Sequence, residues 1–507
     1  MKNLTVKIFV GLFVVATVLL QSCKKDSETY SFLLNERGAF VEEPGGTTSL
    51  GFTAINISSV TPTTVPQGWS VTVDMNERRI SVTAPTTFPD DPKTLADGEE
   101  EEEENTNVRF GTVYLTGRSS GGSSVSTSLY VSLAETVDLT GQPSNCYIIN
   151  KSNARYCIDV TRKGEDTEAT MSPASVAILW ETPYKVIEFP KLVDGKAYFY
   201  HAIGTDDDEK EFFNHGNALL GAFDAAGNLL WSWHLWCAEF DPADEQVELG
   251  GEVMMKRNLG AGVVSGTSEE DILASYGVYY QWGRKDPFPG TTAFTIMNED
   301  YTYEVDGEPE VYGIDNRVLP KFGLTAEFHG TIEKSIRNPA VFYAMTYKHT
   351  GVEDEYGEEI VENDYKTGDW VDVSDDDYWG GESRKKTIYD PCPVGYKVPV
   401  CDADGNTPYA WLVYTAGKWD EANRGFEQEG QWFPTTGTRA YASGGLDYTE
   451  ANPYSGLWIG TKGKASDNLE LYPDLYGQYM FIIDSKRMLK VSKDKRSQGM
   501  SLRCVKE

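Results

Sequence analysis

At 507 residues, 40% of them hydrophobic and 12% aromatic, the chain is too apolar to be disordered and too long for a single core. Roughly two to four domains are expected from that length. A formal charge of -33 disfavours nucleic acid and anionic lipid headgroups as partners.

The elements run as follows. Lys2 and Lys7 open the chain, Ile8 to Leu20 form an apolar run too short and too early for an ordinary spanning helix, and Leu20-Gln-Ser-Cys23 follows. That order resembles a bacterial lipoprotein signal with its lipobox. The resemblance implies cleavage after residue 22 and acylation of Cys23. Several acyl chains, at roughly 0.8 kcal/mol per buried CH2, hold a protein stably on a membrane. Residues 23–30 then form a polar tether reaching about 25 Å when extended. Its start, Lys24-Lys-Asp-Ser-Glu28, is similar to that of Bacteroidetes outer-membrane lipoproteins, which places the protein on the outer membrane, lipid-anchored and facing outwards as an expectation.

Residues 31–135 read as an Ig-like β-sandwich. Trp69, Val71 and Val73 alternate with polar residues in Trp69-Ser-Val-Thr-Val-Asp74, and Arg79-Ile-Ser-Val-Thr-Ala84 repeats the period two after a polar turn. Gly111–Thr116 and Ser128–Leu133 add a second pair of strands around a Gly/Ser run. Several short strands with one tryptophan and no helical period point to a sandwich, in the style of the small BACON-like modules of such lipoproteins. Glu99 to Glu104, six glutamates in succession, read as a solvated loop within it, since like charges without spacers repel.

From residue 136 cysteines, tryptophans and tyrosines become frequent. Strands are expected at Val176–Trp180, Ala197–Tyr200, Ala218–Phe223 and Leu229–Trp236, the last two joined by the turn Asp224-Ala-Ala-Gly-Asn228. Seven segments then follow a familiar order: Asn145-Cys-Tyr-Ile-Ile149, Leu230-Trp-Ser-Trp-His-Leu-Trp236, Met255-Lys-Arg-Asn-Leu-Gly-Ala261, Gly277-Val-Tyr-Tyr-Gln-Trp-Gly-Arg-Lys-Asp-Pro-Phe288, Asp390-Pro-Cys-Pro-Val-Gly-Tyr396, Trp432-Phe-Pro-Thr-Thr-Gly437 and Gly499-Met-Ser-Leu-Arg-Cys-Val-Lys506. Together they resemble the Fibrobacter succinogenes major paralogous domain family. The resemblance implies surface or secreted bacterial proteins, many of them lipoproteins and some fimbria-associated, with a C-type-lectin-like C-terminal part.

The fold class expected is therefore mainly β or α+β. The Ig-like sandwich is followed by a β-rich region at 136–290, a variable insertion at 291–385 and a C-type-lectin-like module at 386–507. The strand Gly456-Leu-Trp-Ile-Gly460 is similar to one in C-type lectins. The Glu-Pro-Asn or Gln-Pro-Asp triplet of their calcium-dependent sugar site is missing, which argues against that mechanism.

Setting Cys23 aside leaves six cysteines in an exported chain. Cys392 and Cys504 lie in two of the resembling segments, and a bridge between them is expected; it would contribute about 5 kcal/mol in the chain-entropy model. Cys146 with Cys157 and Cys237 with Cys401 is one of three ways to pair the rest.

Reaction motifs are weak throughout. Gly117-Arg-Ser-Ser-Gly121 spells a nucleophile elbow but sits in a turn between strands, not between strand and helix. The five histidines form no His-Glu-x-x-His motif, and His234, between Trp233 and Leu235, reads as a core residue. Asp402-Ala-Asp-Gly-Asn406 and Asp372 to Asp377 lack the closing carboxylate of a calcium loop and read as turns, so no metal or cofactor is expected. Arg284, Lys285 and Asp286 read first as buried structural groups. If any aromatics face solvent, the candidate ligand contacts are Trp282, Trp379 and Trp458, with Arg284 beside them. The expectation is a non-catalytic binding or adhesion protein for a glycan or a protein. The alternatives are a fimbria-associated structural subunit, or an enzyme related to the formylglycine-generating group, whose chemistry needs a reduced cysteine pair.

Overall fold

A computed structural model describes residues 29–89, 106–166, 168, 170–205, 210–249, 251–292, 308–313, 318–319, 326–327, 330–344, 348–353, 359–362, 369–381, 383–409, 418–420, 422–447, 454–463, 476–483 and 488–507. The proposed signal, Cys23 and the glutamate run lie outside them. The chain is mainly β, with two short helices, α1 (Glu269–Ala274) and α2 (Ile332–Arg337), among the described residues. It forms two compact units: one takes the chain up to Asp138 with Asn153–Cys157 and Tyr198–Ala202, and the other takes the remainder.

The N-terminal unit is a sandwich of eight strands: β1 (Ser31–Leu34), β2 (Gly38–Val41), β3 (Thr47–Ile55), β4 (Ser59–Thr64), β5 (Ser70–Asp74), β6 (Arg79–Thr83), β7 (Phe110–Arg118) and β8 (Ser124–Leu133). One sheet has the order β1-β3-β6-β5 and the other β2-β8-β7-β4, with β2 and β8 parallel. Alternation decides which side chains enter. Phe32, Leu50, Phe52, Ile80 and Val82 from the first sheet meet Val41, Val60, Val113, Leu115, Leu129 and Val131 from the second. Trp69 closes one end, donating its indole N–H to the Val108 carbonyl at 2.8 Å. The expected Gly/Ser loop is shorter than its composition suggests, because β7 and β8 pair as far as Arg118 and Ser124.

The C-terminal unit contains a six-stranded sheet. Its central strands, Ser175–Thr182, Gly216–Phe223 and Leu229–Cys237, are antiparallel neighbours, and Cys146–Ile149 joins the last of them in parallel, Cys146 opposite His234. The turn Asp224–Asn228 closes the hairpin as its residues require. Asp224 Oδ1 accepts the amides of Ala226 and Asn228, while Gly227 takes φ +81°. Asp402–Asn406 repeats this turn with the same bonds and with Gly405 at φ +81°, so the carboxylate of Asp402 is spent inside the turn.

The segments 136–290, 291–385 and 386–507 share a core instead of forming separate modules. One cluster joins Cys146, Trp236, Met255, Tyr280, Trp282, Trp379, Cys392, Trp458, Met500 and Cys504. The segment read as an insertion supplies Trp379 to this interior, and its Trp370, buried in a neighbouring cluster with Tyr343 and Val371, donates its indole N–H to the Trp282 carbonyl. The seven resembling segments are the ones that meet. Asn145 Nδ2 donates to the carbonyls of Ile388 and Asp390, Met255 N to Cys504 O, Leu259 N to Leu502 O, and Tyr279 OH to Thr436 O.

One close approach depends on glycine alone. Gly277 has φ +78°, and a Cβ there would lie 2.3 Å from the Leu259 carbonyl oxygen; a Cβ on Gly290 would lie 2.0 Å from the Gly277 oxygen. Both contacts are with backbone, which cannot swing aside as a side chain could. Gly277→Ala is expected to cost about 3 kcal/mol in a urea melt. A loss under about 1 kcal/mol would show that this bend relaxes freely.

Candidate functional site

The bond Cys392–Cys504 is present and wholly buried, its Cα atoms 6.0 Å apart. Its sulfurs are therefore oxidised, which removes the reduced pair that an enzyme of the formylglycine-generating kind would require. The other two pairings are corrected: Cys146, Cys157, Cys237 and Cys401 are buried thiols outside any disulfide. Two of these sulfurs have a polar neighbour. Cys146 Sγ lies 3.5 Å from His234 Nδ1, and Cys401 Sγ lies 3.5 Å from Gln478 Oε1.

The Cys146 and His234 pair has the residue types of a thiol nucleophile and its base. Asn217 Nδ2 donates to the Gly260 carbonyl at 3.0 Å, so its Oδ1 faces His234 Nε2 at 2.8 Å and fixes the proton there. Nδ1 is left to accept from Tyr280 OH at 3.3 Å. The chemistry is suppressed by burial, which pushes the imidazole down to about 3 and the thiol far up. A neutral, sequestered thiol is inert. His234 is thus a core histidine with satisfied partners.

The four candidate contacts are also buried. Trp282 and Trp379 are 1% exposed, and Trp458 and Arg284 not at all. Three of them are tied inside by their polar atoms. Trp282 Nε1 donates to Ile459 O and Trp458 Nε1 to Tyr280 O, both at 2.8 Å. Arg284 donates to the carbonyls of Val341 and Pro339, each at 2.8 Å, just past the end of α2. These side chains staple the interior, and none can meet a ligand from solvent. Lys285 and Asp286 are internal as well, their ends 2.6 Å apart with Ser232 Oγ between them in a shared network.

What faces solvent is a cleft of about 680 Å³ lined by 331–333, 371, 373–378 and Lys462. Four features build it. Thr331 caps α2 by accepting the Lys334 amide at 3.1 Å, and Gly330 pairs in parallel with Val371 to bring the acidic stretch alongside. Asp375 Oδ1 accepts the Asp377 amide at 2.8 Å, and Gly380, at φ +80°, turns the chain back. Val373 projects from this wall, 75% exposed.

Beneath the wall stands Arg496, fully buried, its guanidinium 4.0 Å from the Trp282 ring. It reaches Asp369 Oδ2 at 3.3 Å with one nitrogen and Asp376 Oδ1 with the other, while Lys462 Nζ bonds Asp376 Oδ2 at 2.8 Å. Burial raises the Asp369 carboxyl, with Arg496 opposing. Burial also acts on Asp376, but hydrogen bonds from Arg496 and Lys462 outweigh it and hold that carboxyl below its ordinary value. The cleft therefore presents the ionised Asp376 among other carboxyl groups, one lysine and an apolar ledge. Among the described residues, no group of three or more His, Cys, Asp or Glu is placed to hold a metal ion.

This site was half visible beforehand. The acidic stretch 372–377 is evident as a turn, but its partners Lys462 and Arg496 lie 86 and 120 residues from Asp376, with no local signal.

No family model matches the chain, and no curated protein matches it. Among solved structures, the human desmocollin-1 ectodomain is 12% identical with a TM-score of 0.15, covering 42% of this chain and 41% of its own. SGBP-B of the Bacteroides ovatus mixed-linkage glucan utilization locus is 11% identical with a TM-score of 0.12, covering 40% and 43%. SporoSAG of Toxoplasma gondii is 8% identical with a TM-score of 0.13, covering 39% and 93%. The chain spans less than half the length of the first two. At these scores the likenesses assign neither family nor activity. No described helix is long and apolar enough to cross a membrane.

Proposed function

We propose that this is an exported, lipid-anchored surface protein that binds its ligand without reaction, and that the cleft lined by 331–333, 373–378 and Lys462 is where the ligand sits. The observation that carries the reading is the lining itself. Carboxyl groups accept from hydroxyls, Lys462 donates, and Val373 and Tyr378 offer apolar contact. A polyhydroxylated ligand, a glycan, matches that set of acceptors around an apolar ledge better than an anion does. The anchor at Cys23 and membership in the surface-protein family suggested by the seven segments belong to the same proposal. The convergence of six of those seven segments on one core supports treating them as a single inherited unit.

The test is a glycan array probed with the chain from residue 24 onward, followed by titration of the retained glycan. Val373→Arg adds bulk and charge at an exposed position without touching the core, and it is expected to weaken binding at least tenfold. Retention of no glycan, or binding by Val373→Arg within about twofold of the parent, would sink the assignment.

A further inference from the structure

A second feature of the C-terminal unit lies apart from the cleft and from the proposed function. Arg503 stands just before the last strand, beside the stapled Cys504, and is 1% exposed. Its Nε and Nη2 donate to Asn258 Oδ1 at 3.1 and 2.9 Å, Nη1 to Gln431 Oε1 at 2.8 Å, and Nη2 also to the Trp432 carbonyl at 2.8 Å. The guanidinium lies over the Phe433 ring, 4.8 Å from its centroid. Every one of these partners is neutral. A charge taken out of water is costly until an opposite charge meets it. Burial lowers Arg503 to about 10, with Tyr409 opposing, so it stays a cation at neutral pH.

Three more polar atoms are sealed in around this cation. Gln428 and Gln431 stand opposite each other in the antiparallel pair Gly425–Gln428 and Gln431–Pro434, so their side chains leave the face that also carries Phe426 and Phe433. Both are buried, yet Gln428 Oε1 and Gln431 Nε2 bond neither each other nor any other group. Tyr409 packs in one cluster with Phe426 and Phe433, and its buried hydroxyl is without a partner as well. An acceptor and a donor that face each other across a strand pair without bonding leave room between them. Buried polar atoms are satisfied in folded proteins, so three such atoms beside one cation call for a common partner.

The donors define that partner. Arg503 supplies positive charge, while Gln431 Nε2 and the Tyr409 hydroxyl supply hydrogens, the latter kept protonated by burial. Gln428 can turn its amide to present Nε2, since the two ends of that group have the same shape. A water would satisfy the hydrogen bonds and leave the charge unmet; a small anion does both. We propose that the C-terminal unit holds a small monovalent anion, chloride or a carboxylate of its size, among Tyr409, Gln428, Gln431 and Arg503. Bound there, it ties the closing strand to the hairpin of Gln428 and Gln431.

Thermal unfolding of the full chain in different anions at constant ionic strength tests this. Replacing about 100 mM gluconate, too large to enter, with chloride is expected to raise the midpoint of the C-terminal unit by about 2 °C. A rise with formate and not with chloride also supports the site and names a carboxylate as its occupant. Gln431→Glu sets a carboxylate beside Arg503 and is expected to abolish the anion dependence. Tyr409→Phe deletes only the hydroxyl and is expected to reduce the rise to less than about half. No rise with either anion, or the same rise in the parent and in Tyr409→Phe, would overturn the assignment. Should Gln431→Glu fail to fold, a crystal exchanged into bromide still decides: an anomalous peak in contact with Arg503 and Gln431 upholds the site, and its absence there rejects it.

Discussion

Replacing both Cys392 and Cys504 with alanine is expected to cost the C-terminal unit about 5 kcal/mol. The two positions are 112 residues apart, and a loop of that length removes about this much freedom from the unfolded chain when closed. The staple also fixes the last strand. Val505 pairs with Met254 on one side and Lys397 on the other, so the bond and the pairing hold the same corner. Alanine avoids burying a hydroxyl where the sulfurs are 0% exposed. Urea unfolding followed by tryptophan emission reads the change, because Trp231, Trp236, Trp282 and Trp458 are buried in this unit. A loss under about 1 kcal/mol would mean that packing alone holds the corner.

Arg496→Leu is expected to cost 3–5 kcal/mol, roughly what removing one partner of a buried ion pair costs. The guanidinium vanishes from between Asp369 and Asp376, leaving Asp369 ionised and buried at 5% exposure. The loss has a pH signature. In the parent protein burial raises the Asp369 carboxyl and Arg496 pulls it back, so the variant leaves burial unopposed. A carboxyl raised in the folded state contributes stability in acid and loses it as pH rises. The deficit of Arg496→Leu should therefore be smaller at pH 4.5 than at pH 7.5, and adding Asp369→Asn should recover part of it. A deficit equal at both pH values would assign the cost to lost packing against Trp282 instead.

Local pattern and long-range packing separate cleanly in this chain. The hairpin of β5 and β6, the pair β7 and β8, and the turn at Asp224 are legible because period-two alternation and turn chemistry act within a dozen residues. Parallel partners such as β2 with β8, or Cys146–Ile149 with Leu229–Cys237, leave no such trace, since their register is set by packing between distant segments. The same limit governs the site. Trp282, Trp379 and Trp458 look like sugar platforms by type, yet each is buried in a core that draws on segments hundreds of residues apart. Composition shows that aromatics abound; only the fold shows that these are spent inside. Cys146 and Cys401 were misread for a related reason, because an even count of cysteines invites pairing while the nearby histidine and glutamine that occupy their sulfurs are invisible in sequence order.

The shared core of the C-terminal unit has a kinetic consequence. Ser144 donates to the Cys392 carbonyl across 248 positions, and Arg503 donates to Asn258 across 245. Contacts of such separation close large loops before they are rewarded, which slows folding relative to a sandwich with many neighbouring hairpins. Residues 139 to 290 would emerge before the segments that complete their core, so the chain needs either time or a guardian while its apolar surfaces wait for the closing strand.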